Sequence, residues 1–500
     1  MSLSSLQVLA DNRNALLLAE LGALLHDVGK CTSEFAYFVQ ARSSNNHDPY
    51  KAIFTANELQ RYVFSPQRIQ ERLDEANEQY ALHTLLSNQV LQKLDASFRF
   101  SGNAYTLREA IYFSRPRFAG NIGRPLQRLG EPLDLLAYCH GEGHVEKEEP
   151  WPSRTPSPVA RYSAFGVQLS VLPQPADSEN LTKRLSAMDW DALIQKHSTK
   201  ELRELFLNAL GDTRFPINEV TLWDWSYAVA SLFKSELARR FLTGEWRTRD
   251  NLRWRLLRVN LDVLGLYAKA TKNADLLGYQ EAIGKACEAV KQLVEEEYPL
   301  GNEVYRDTAG IYFTFPDRDL FPGLEQEIRR RVEAIEPELA PRIVVDPSEP
   351  LKALLSSSHN KVRQELAQPM MSENLSPDWQ MQWDNLPDGK WELCPVCRLR
   401  PMREKREACE HCEGRRQSRI ELWERDPSKT IWLDEIADHN DRMALIVGKF
   451  GLDDWLSGDL VQTRLVRAEE NDPSRGRPNN TAPARVRRAW QPCQRFLSEN

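Results

Sequence analysis

Two features that place proteins in or across a membrane are missing from this sequence. No stretch reaches the roughly 18 consecutive apolar residues that a helix needs to span a bilayer. The N-terminal segment MSLSSLQVLADNRNALLLAE has no basic region before its apolar part and no small-residue cleavage pattern, so it does not resemble a signal peptide. We therefore expect a cytoplasmic protein with no membrane partner.

A net positive charge is missing as well. The 500 residues include 65 Lys and Arg against 72 Asp and Glu, which gives a formal net charge of −7. This excludes a uniformly basic coat for nucleic acid and leaves only local basic patches for such contacts. The composition is 27% charged and 41% hydrophobic, which is typical of globular chains, and the length allows about two to four domains.

Cysteine is scarce, and four of the eight cysteines are clustered in CPVCRLRPMREKREACEHC. Cys394 and Cys397 form one Cys-x-x-Cys pair, and Cys409 and Cys412 form a second. Four thiolates at this spacing satisfy tetrahedral zinc without an open coordination position, so the pattern predicts a structural zinc site. The alternative is four free thiols on a polar loop. We interpret His411, inside the second pair, as exposed and not as a ligand.

Histidine is also scarce, with nine in the chain, and one of them stands beside an aspartate in LLLAELGALLHDVGKCTSEF. An apolar helix predicted over 12–30 delivers His26 and Asp27, Gly29 permits a close turn, and Lys30 offers a charge for a phosphate. Imidazole and carboxylate ligands suit a divalent metal that assists phosphodiester hydrolysis. The alternative is the polar end of an ordinary buried helix.

Further ligands for such a site must come from elsewhere in the chain. LAYCHGEGHVEKE supplies His140 and His144 at positions i and i+4, which share one face if helical. The glycines at 141 and 143 favour a loop there. His83 is a weaker candidate, which we interpret as a core or surface histidine.

The patterning divides the chain into a helical half and a mixed half. Helices are expected over 55–98, 181–210 and 218–247, with a proline-rich linker at about 145–160. From residue 252 the order reads strand, helix over 274–297, two strands in EVYRDTAGIYFTFP, helix over 320–337, and a strand in PRIVVDP. This β–α–β–β–α–β order is the ferredoxin-like pattern. Its first strand places Leu257, Val259 and Leu261 on one face. A polar connector (355–390), a buried strand (Met443–Val447) and a mobile basic loop (464–488) complete the prediction.

Along the chain, the LLHDVGK helix is followed by the ferredoxin-like pattern, the CPVC…CxxC cysteines and the start of a second palm. This order resembles the large subunit of type III CRISPR effector complexes, which is the CRISPR polymerase family with a permuted HD nuclease domain. VTLWDWSYAVASLFK, EEEYPLGNEVYRDTAGIYF and WLDEIADHNDRMALIVGKFGLDDWLSG are most similar to a divergent, type III-B-associated branch. The resemblance implies an α+β multidomain fold. Its parts are an α-helical permuted HD-like domain (1–250), a ferredoxin-like palm (251–350), a connector with a four-cysteine zinc knuckle (351–430), and the start of a second palm (431–500).

The resemblance also implies an activity and partners. The family binds CRISPR RNA, target RNA and other effector subunits, its HD domain is typically a metal-dependent single-stranded DNase, and its palms typically make cyclic oligoadenylates from ATP. His26 and Asp27 match the HD pair. With Mn²⁺, Ni²⁺ or Mg²⁺ bound, the expected ligands are His26, Asp27, His140, His144 and Asp224, and the expected catalytic residues are His26, Asp27 and Lys30.

The sequence departs from the family pattern at three points, and these departures lead to alternative hypotheses about its function. Trp225 stands where the family often has a histidine after Asp224, and Gly448 and Phe450 stand where active members carry palm carboxylates. No Gly-Gly-Asp-Asp motif occurs, and we expect either a fragment or a polymerase half outside this chain. We therefore weigh an HD-type nuclease, an inactive scaffold that binds guide and target RNA, and a free-standing HD phosphohydrolase, the last disfavoured by the zinc pattern.

Overall fold

The structure, a computed structural model, describes residues 3–31, 92–113, 131–142, 159–163, 166–170, 183–207, 209, 221–247, 251–307, 310–339, 341–346, 383, 385–416, 464–468 and 476–477. These residues form helices and small antiparallel sheets, in agreement with the predicted mixture of the two. Unit 1 comprises Met1–Arg13, Ala238–Glu245 and Leu252–Thr430, and unit 2 comprises Asn14–Leu237, Trp246–Asn251 and Ile431–Asn500. Over the described ranges, no helix has the length and apolar content that crossing a bilayer requires.

The named helices are α1 (Gln7–Asp11), α2 (Arg13–Leu25), α3 (Leu107–Phe113), α4 (Glu131–Glu142), α5 (Trp190–Lys196), α6 (Lys200–Phe206), α7 (Leu222–Thr243), α8 (Val263–Tyr267), α9 (Asn273–Lys291) and α10 (Pro322–Ile335). The strands are β1 (Ser97–Phe100), β2 (Asn103–Thr106), β3 (Val159–Ser163), β4 (Gly166–Ser170), β5 (Trp254–Asn260), β6 (Glu303–Asp307), β7 (Gly310–Pro316), β8 (Arg342–Val345), β9 (Trp391–Leu393), β10 (Pro401–Arg403), β11 (Arg464–Ala468) and β12 (Gly476–Arg477).

The helix predicted over 12–30 is shorter in the structure. Helix α2 ends at Leu25, residues 26 and 27 form a turn, and Val28–Cys31 is a 3₁₀ helix. Eight of its thirteen residues are buried, because its leucines and small residues surround the helix axis. A Cβ added at Gly22 would lie 2.8 Å from Cβ of Ala110, so α2 and α3 approach closely at this glycine. Helix α3 also packs against α4.

Other sequence predictions in unit 2 are confirmed in part. In the predicted 181–210 segment, residues 183–187 are helical and α5 and α6 follow them. The predicted 218–247 segment contains α7. Of the predicted 55–98 helix, the part up to residue 91 lies outside the described residues, and its last two residues belong to strand β1. The loop preference at 141 is wrong, since α4 continues through that position to Glu142.

The mobile basic loop predicted over 464–488 is wrong for its described part. Strands β11 and β12 lie in that segment and belong to a sheet of order β12–β11–β3–β4 with antiparallel pairing. The backbone of β11 pairs with β3, with Arg464 opposite Tyr162. These hydrogen bonds join segments of the chain that are about 300 residues apart. Local charge and glycine content therefore do not reveal them. Strand β3, the partner of β11, begins at residue 159, within the last two residues of the predicted 145–160 linker. The rest of that linker, 145–158, lies outside the described residues.

Unit 1 contains the β–α–β–β–α–β order that the sequence predicts. Strands β5, β6, β7 and β8 form an antiparallel sheet of order β6–β7–β5–β8, with α9 after β5 and α10 after β7. The two strands of EVYRDTAGIYFTFP are confirmed as β6 and β7. The helix predicted over 274–297 is α9 followed by a π turn at Gln292–Glu297.

Strand β5 differs from the predicted one-sided strand, because it is buried on both faces. Leu257 and Val259 are buried as expected, but Arg258 is 2% exposed and Asn260 is 4% exposed. Asp346 accepts hydrogen bonds from Nε of Arg258 at 3.0 Å and from its Nη2 at 2.6 Å. The buried charge therefore has a charged partner in the segment that follows β8. The predicted connector up to residue 382 and the strand Met443–Val447 lie outside the described residues.

Candidate metal sites

The first candidate site is formed by side chains at the C-terminal ends of two helices of unit 2. His26 and Asp27 follow the C-terminal end of α2, and His140 lies in the last turn of α4. One ligand atom from each of the three residues lies within 4.8 Å of the other two. His26 and Asp27 are 0% exposed and His140 is 3% exposed. Two imidazole nitrogens and one carboxylate oxygen are a donor set that fits a divalent transition metal.

The hydrogen bonding of His26 orients its ring for this role. Nδ1 of His26 lies 2.6 Å from the carbonyl oxygen of Ala23, one turn earlier in α2. A carbonyl only accepts hydrogen bonds, so the proton of a neutral ring belongs on Nδ1 and the lone pair on Nε2. Metal-binding histidines commonly donate their second ring nitrogen to a backbone carbonyl in this way. Nε2 of His26 then faces Oδ2 of Asp27 at 3.6 Å.

The second histidine approaches the first edge-on. The ring centroids of His26 and His140 are 4.9 Å apart, with an angle of 81° between the ring planes. This T-shaped arrangement lets two nitrogens converge on one point without stacking of the rings. Helix α3 approaches α2 at Gly22 and also packs against α4. The close approach at Gly22 therefore helps to set the distance between the rings of His26 and His140.

The remaining residues predicted for this site have different outcomes. Asp224 is not in the converging group, and its Oδ2 accepts from the Thr221 backbone N–H at 3.0 Å and from Thr221 Oγ1 at 2.5 Å. This pair is a capping box at the start of α7, so the described contacts give Asp224 a helix-capping role. Lys30 lies in the 3₁₀ helix that follows Asp27. His144 and His83 lie outside the described residues. The metal-binding roles of Asp224 and His144 and the catalytic role of Lys30 stay predictions, as does the interpretation of His83 as a core or surface histidine.

The second candidate site contains the four clustered cysteines. Their sulfur atoms lie within 4.8 Å of one another, and the Sγ atoms of Cys397 and Cys409 are 3.9 Å apart. Cys394, Cys397 and Cys412 are 0% exposed and Cys409 is 3% exposed. Four buried thiols around one point fit a structural metal, and thiolates favour zinc among the common ions.

The local backbone brings each cysteine pair to the cluster. Strands β9 and β10 form a hairpin in which Met402 is opposite Glu392. Arg398 and Lys405 have positive φ angles of 55° and 75°, so the chain turns sharply after Cys397 and before the second pair. The backbone N–H of Arg400 donates to Sγ of Cys397 at 3.4 Å, and that of Cys409 donates to Sγ of Cys394 at 3.3 Å. Such N–H donors stabilise thiolates.

One residue beside the cysteines differs from its prediction. The side chain of His411 is 35% exposed, and its Nε2 lies 3.3 Å from Oε2 of Glu336. It is therefore half-buried in an ion-pair network and not an exposed side chain. This network also includes Glu338, Arg400 and Arg415, and the sequence alone does not indicate it. The glutamates and arginines are far apart along the chain, so no local pattern connects them.

Comparison with known proteins gives structural likenesses only. No family model and no curated protein matches the sequence. The chain is similar to the solved apo Csm1-Csm4 cassette, with 15% identity and a TM-score of 0.39 over 70% of this chain and 47% of that chain. It is similar to the Csm1-Csm4 subcomplex of the type III-A CRISPR-Csm interference complex, with 14% identity and a TM-score of 0.38 over 70% and 48% of the two chains.

A third likeness is to Csm1 in T.onnurineus, with 15% identity and a TM-score of 0.33 over 75% of this chain and 50% of that chain. The chain thus spans about half the length of the solved structures to which it is similar.

Proposed function

We propose that this chain is a large subunit of a type III CRISPR effector complex and that His26, Asp27 and His140 form an HD-type, metal-dependent nuclease site for single-stranded DNA. The observation that carries the proposal is the buried convergence of these three side chains from α2 and α4. Because a carboxylate and two imidazoles meet at the His-Asp pair in the middle of the LLHDVGK motif, the site combines a metal-binding geometry with a phosphodiesterase motif.

Each residue has a role that follows from its contacts. His26 presents Nε2, because its Nδ1 bonds to Ala23. Asp27 supplies the anionic ligand and His140 the second imidazole. A bound Mn²⁺, Ni²⁺ or Mg²⁺ ion would supply an activated water and polarise the phosphoryl oxygen. Lys30, close after Asp27 in the chain, is proposed to hold a phosphate of the substrate, and His144 and Asp224 are proposed as further ligands.

The remaining parts are proposed to have structural and binding roles. The sheet β5–β8 with α9 and α10 has the element order of a ferredoxin-like palm. The four cysteines are proposed to hold structural Zn²⁺, and residues 431–500 are proposed to begin a second palm. We propose CRISPR RNA, target RNA and other effector subunits as partners, and the cytoplasm as location, because the sequence resemblance implies them.

A scaffold without catalysis is the second candidate. Trp225, 5% exposed at the start of α7, takes the place at which a ligand is expected. Gly448 and Phe450 take the places of palm carboxylates, so we propose no cyclic oligoadenylate synthesis for these residues. A scaffold would bind guide and target RNA through its palm and zinc-knuckle surfaces.

The test compares cleavage of labelled single-stranded DNA by the full chain, alone and assembled with guide RNA and effector subunits, in each of the three metals. We expect cleavage by the wild type and its loss in the double variant His26→Ala/Asp27→Ala and in His140→Ala. The matched control is His197→Asn, since His197 follows α5 outside the converging group and asparagine tolerates its φ of 54°.

Elemental analysis of the same preparations separates the two candidates. The nuclease predicts a second divalent metal (Mn²⁺, Ni²⁺ or Mg²⁺) in addition to zinc, which His26→Ala/Asp27→Ala loses and His197→Asn retains. Equal cleavage by the wild type and the double variant would overturn the nuclease. Zinc alone, together with co-purifying RNA and no cleavage, would favour the scaffold.

A further inference from the structure

A buried network of charged side chains joins the four-cysteine segment to the rest of unit 1. Glu336 and Glu338 follow α10, and their side chains are 0% exposed. Arg400 lies 3.4 Å from both carboxylates. Arg416, at the end of the same segment, donates to both oxygens of Asp275 in α9, at 2.7 and 3.0 Å. The segment is therefore held by oriented ion pairs from two helices.

Arg415 occupies a special position in this network, because it contacts the sulfur cluster and the network at once. Its Nη2 donates to Sγ of Cys412 at 2.9 Å. Its Nη1 donates to Oε2 of Glu336. Its guanidinium carbon lies 4.2 Å from the centroid of the Tyr279 ring in α9, which is a cation–π distance. The planar fork can make these three contacts together, which a lysine ammonium cannot.

The charges favour this arrangement. Burial by itself raises the pKa of Glu336, but the hydrogen bond from His411 and the charges of Arg415 and Arg400 lower it to about 2. Glu336 is thus ionised at neutral pH and orients the guanidinium. Four thiolates around one divalent ion carry a net charge of −2, so a guanidinium N–H bound to sulfur becomes a charge-assisted donor when the metal is present.

We propose that Arg415 is a positioning residue that couples metal binding at the four cysteines to the docking of their segment on α9 and α10. Metal binding makes Cys412 a stronger hydrogen-bond acceptor for Arg415. The guanidinium is then held more firmly in the position from which it contacts Glu336 and Tyr279. Coupling free energies are reciprocal, so the docked network also raises the affinity of the cysteines for the metal. This inference is independent of the nuclease, since none of its residues belongs to the site of His26.

A purely electrostatic effect of the network predicts a different result. Glu336 contacts no cysteine in the described contacts, and its negative charge disfavours a nearby anionic metal–thiolate centre. If charge alone matters, Glu336→Gln raises metal affinity. If Glu336 acts by holding Arg415 in place, Glu336→Gln lowers metal affinity, although it removes a repulsive charge. The sign of this change separates the two explanations.

The experiment measures Co²⁺ binding to the full chain, prepared without metal under reducing conditions. Sulfur-to-Co²⁺ charge-transfer absorption reports only the thiolate site, and Zn²⁺ competition then gives the Zn²⁺ affinity. Arg415→Met and Glu336→Gln are each expected to lower that affinity about 10- to 100-fold, as for other residues that orient metal ligands. Arg415→Lys keeps the charge and is expected to restore little of it. The matched control is Arg406→Met, since Arg406 pairs with Glu413 in the same segment and is 43% exposed.

Two further measurements keep the test independent of folding losses. In a double-variant cycle, Glu336→Gln is expected to have no added effect once Arg415 is methionine. In hydrogen exchange, metal removal is expected to raise exchange around Tyr279 in the wild type but not further in Arg415→Met. The proposal is overturned if Glu336→Gln raises the affinity, if the two effects add, or if Arg415→Met binds Zn²⁺ like Arg406→Met.

Discussion

The ammonium of Lys234 in α7 lies 2.8 Å from Oε2 of Glu20 in α2, and only 1% of the lysine side chain is exposed. Removing the carboxylate takes away an anionic partner of a buried ammonium, which typically costs about 3 kcal/mol or more. We therefore expect Glu20→Gln to lower the free energy of unfolding by about 3 kcal/mol. Urea denaturation of the full chain at pH 7 measures this change.

An exposed ion pair of the same unit is the control. Nζ of Lys93 lies 2.5 Å from Oδ2 of Asp191, but the two side chains are 35% and 59% exposed. Exposed pairs contribute about 0–1 kcal/mol, so Asp191→Asn is expected to have little effect on stability. A loss of the same size in both variants would show that burial of Lys234 does not set the cost.

Gly22 controls the separation of α2 and α3. Because a Cβ at this position would lie 2.8 Å from Cβ of Ala110, Gly22→Ala requires the helices to move apart. Overpacking of this kind typically costs about 1–3 kcal/mol, which exceeds the propensity gain of alanine over glycine in a helix. We expect a net loss of stability, together with weaker binding of metal at His26, whose distance from His140 depends on this packing. Denaturation and metal titration measure the two effects.

Two variants test the steric explanation. Ala110→Gly removes the opposing methyl group and is expected to rescue Gly22→Ala. Gly284→Ala in α9 has no atom within 4 Å of the added Cβ and is expected to stabilise the protein by about 0.5–1 kcal/mol. If Gly22→Ala also stabilises the protein, then α2 and α3 are not in tight contact.

The two candidate metal sites differ in how far the sequence could predict them. The four-cysteine cluster could be predicted because its residues lie in one short segment with the spacing of two Cys-x-x-Cys pairs. His26 and Asp27 had a local motif, but their convergence with His140 depends on α3, which approaches α2 at Gly22 and packs against α4. The sequence motif did not reveal that the carboxylate of Asp224 caps α7 through Thr221, and its role as a metal ligand stays a prediction.

The fold shows the same division between local and non-local information. The β–α–β–β–α–β order of unit 1 follows from periodicity and turns, which are local properties. The burial of Arg258 on β5 does not, because it requires Asp346 on the neighbouring chain segment. The pairing of β11 with β3 likewise depends on hydrogen bonds between segments that are far apart in sequence.

Asp346 is the test of this buried pair. Arg258 and Asp346 have side chains that are each 2% exposed, and Nη2 of Arg258 lies 2.6 Å from Oδ1 of Asp346. Truncation of the carboxylate removes the anionic partner that accepts from both Nε and Nη2 of a buried guanidinium, which typically costs about 3–5 kcal/mol. We expect Asp346→Ala to lower the free energy of unfolding by this amount, and hydrogen exchange should show faster opening of β5 and β8.

A second arginine of β5 gives a matched control. Arg255, on the same strand, bonds to Oδ1 of Asp319 at 3.0 Å, but the Asp319 side chain is 95% exposed. Asp319→Ala is expected to cost less than about 1 kcal/mol. Replacing both Arg258 and Asp346 with apolar residues of similar volume should recover much of the loss of Asp346→Ala. No recovery would mean that the ion pair itself stabilises the sheet, and that the loss in Asp346→Ala is not only the cost of removing one partner of a buried pair.

Glu303 at the start of β6 predicts a dependence of stability on pH. Burial raises the pKa of Glu303, but the hydrogen bond from Arg306 and the charge of Lys291 outweigh it and lower the pKa below the usual value of 4.5. Nζ of Lys291 lies 3.1 Å from Oε2 of Glu303, and Nε of Arg306 lies 2.8 Å from its Oε1. A lowered folded-state pKa contributes stability that is fully present above the unfolded pKa and is lost as the pH falls through the folded pKa.

Glu303→Gln should therefore destabilise the protein at pH 7 and make its stability fall less steeply than that of the wild type as the pH drops below about 4.5. Urea denaturation at a series of pH values measures the two curves, which are expected to converge in acid. Glu281→Gln is the control at pH 7, since Glu281 pairs with Lys285 on the exposed face of α9 and its loss should cost less than about 1 kcal/mol. Parallel curves for Glu303→Gln and the wild type would show that packing, and not the ionised carboxylate, gives Glu303 its effect.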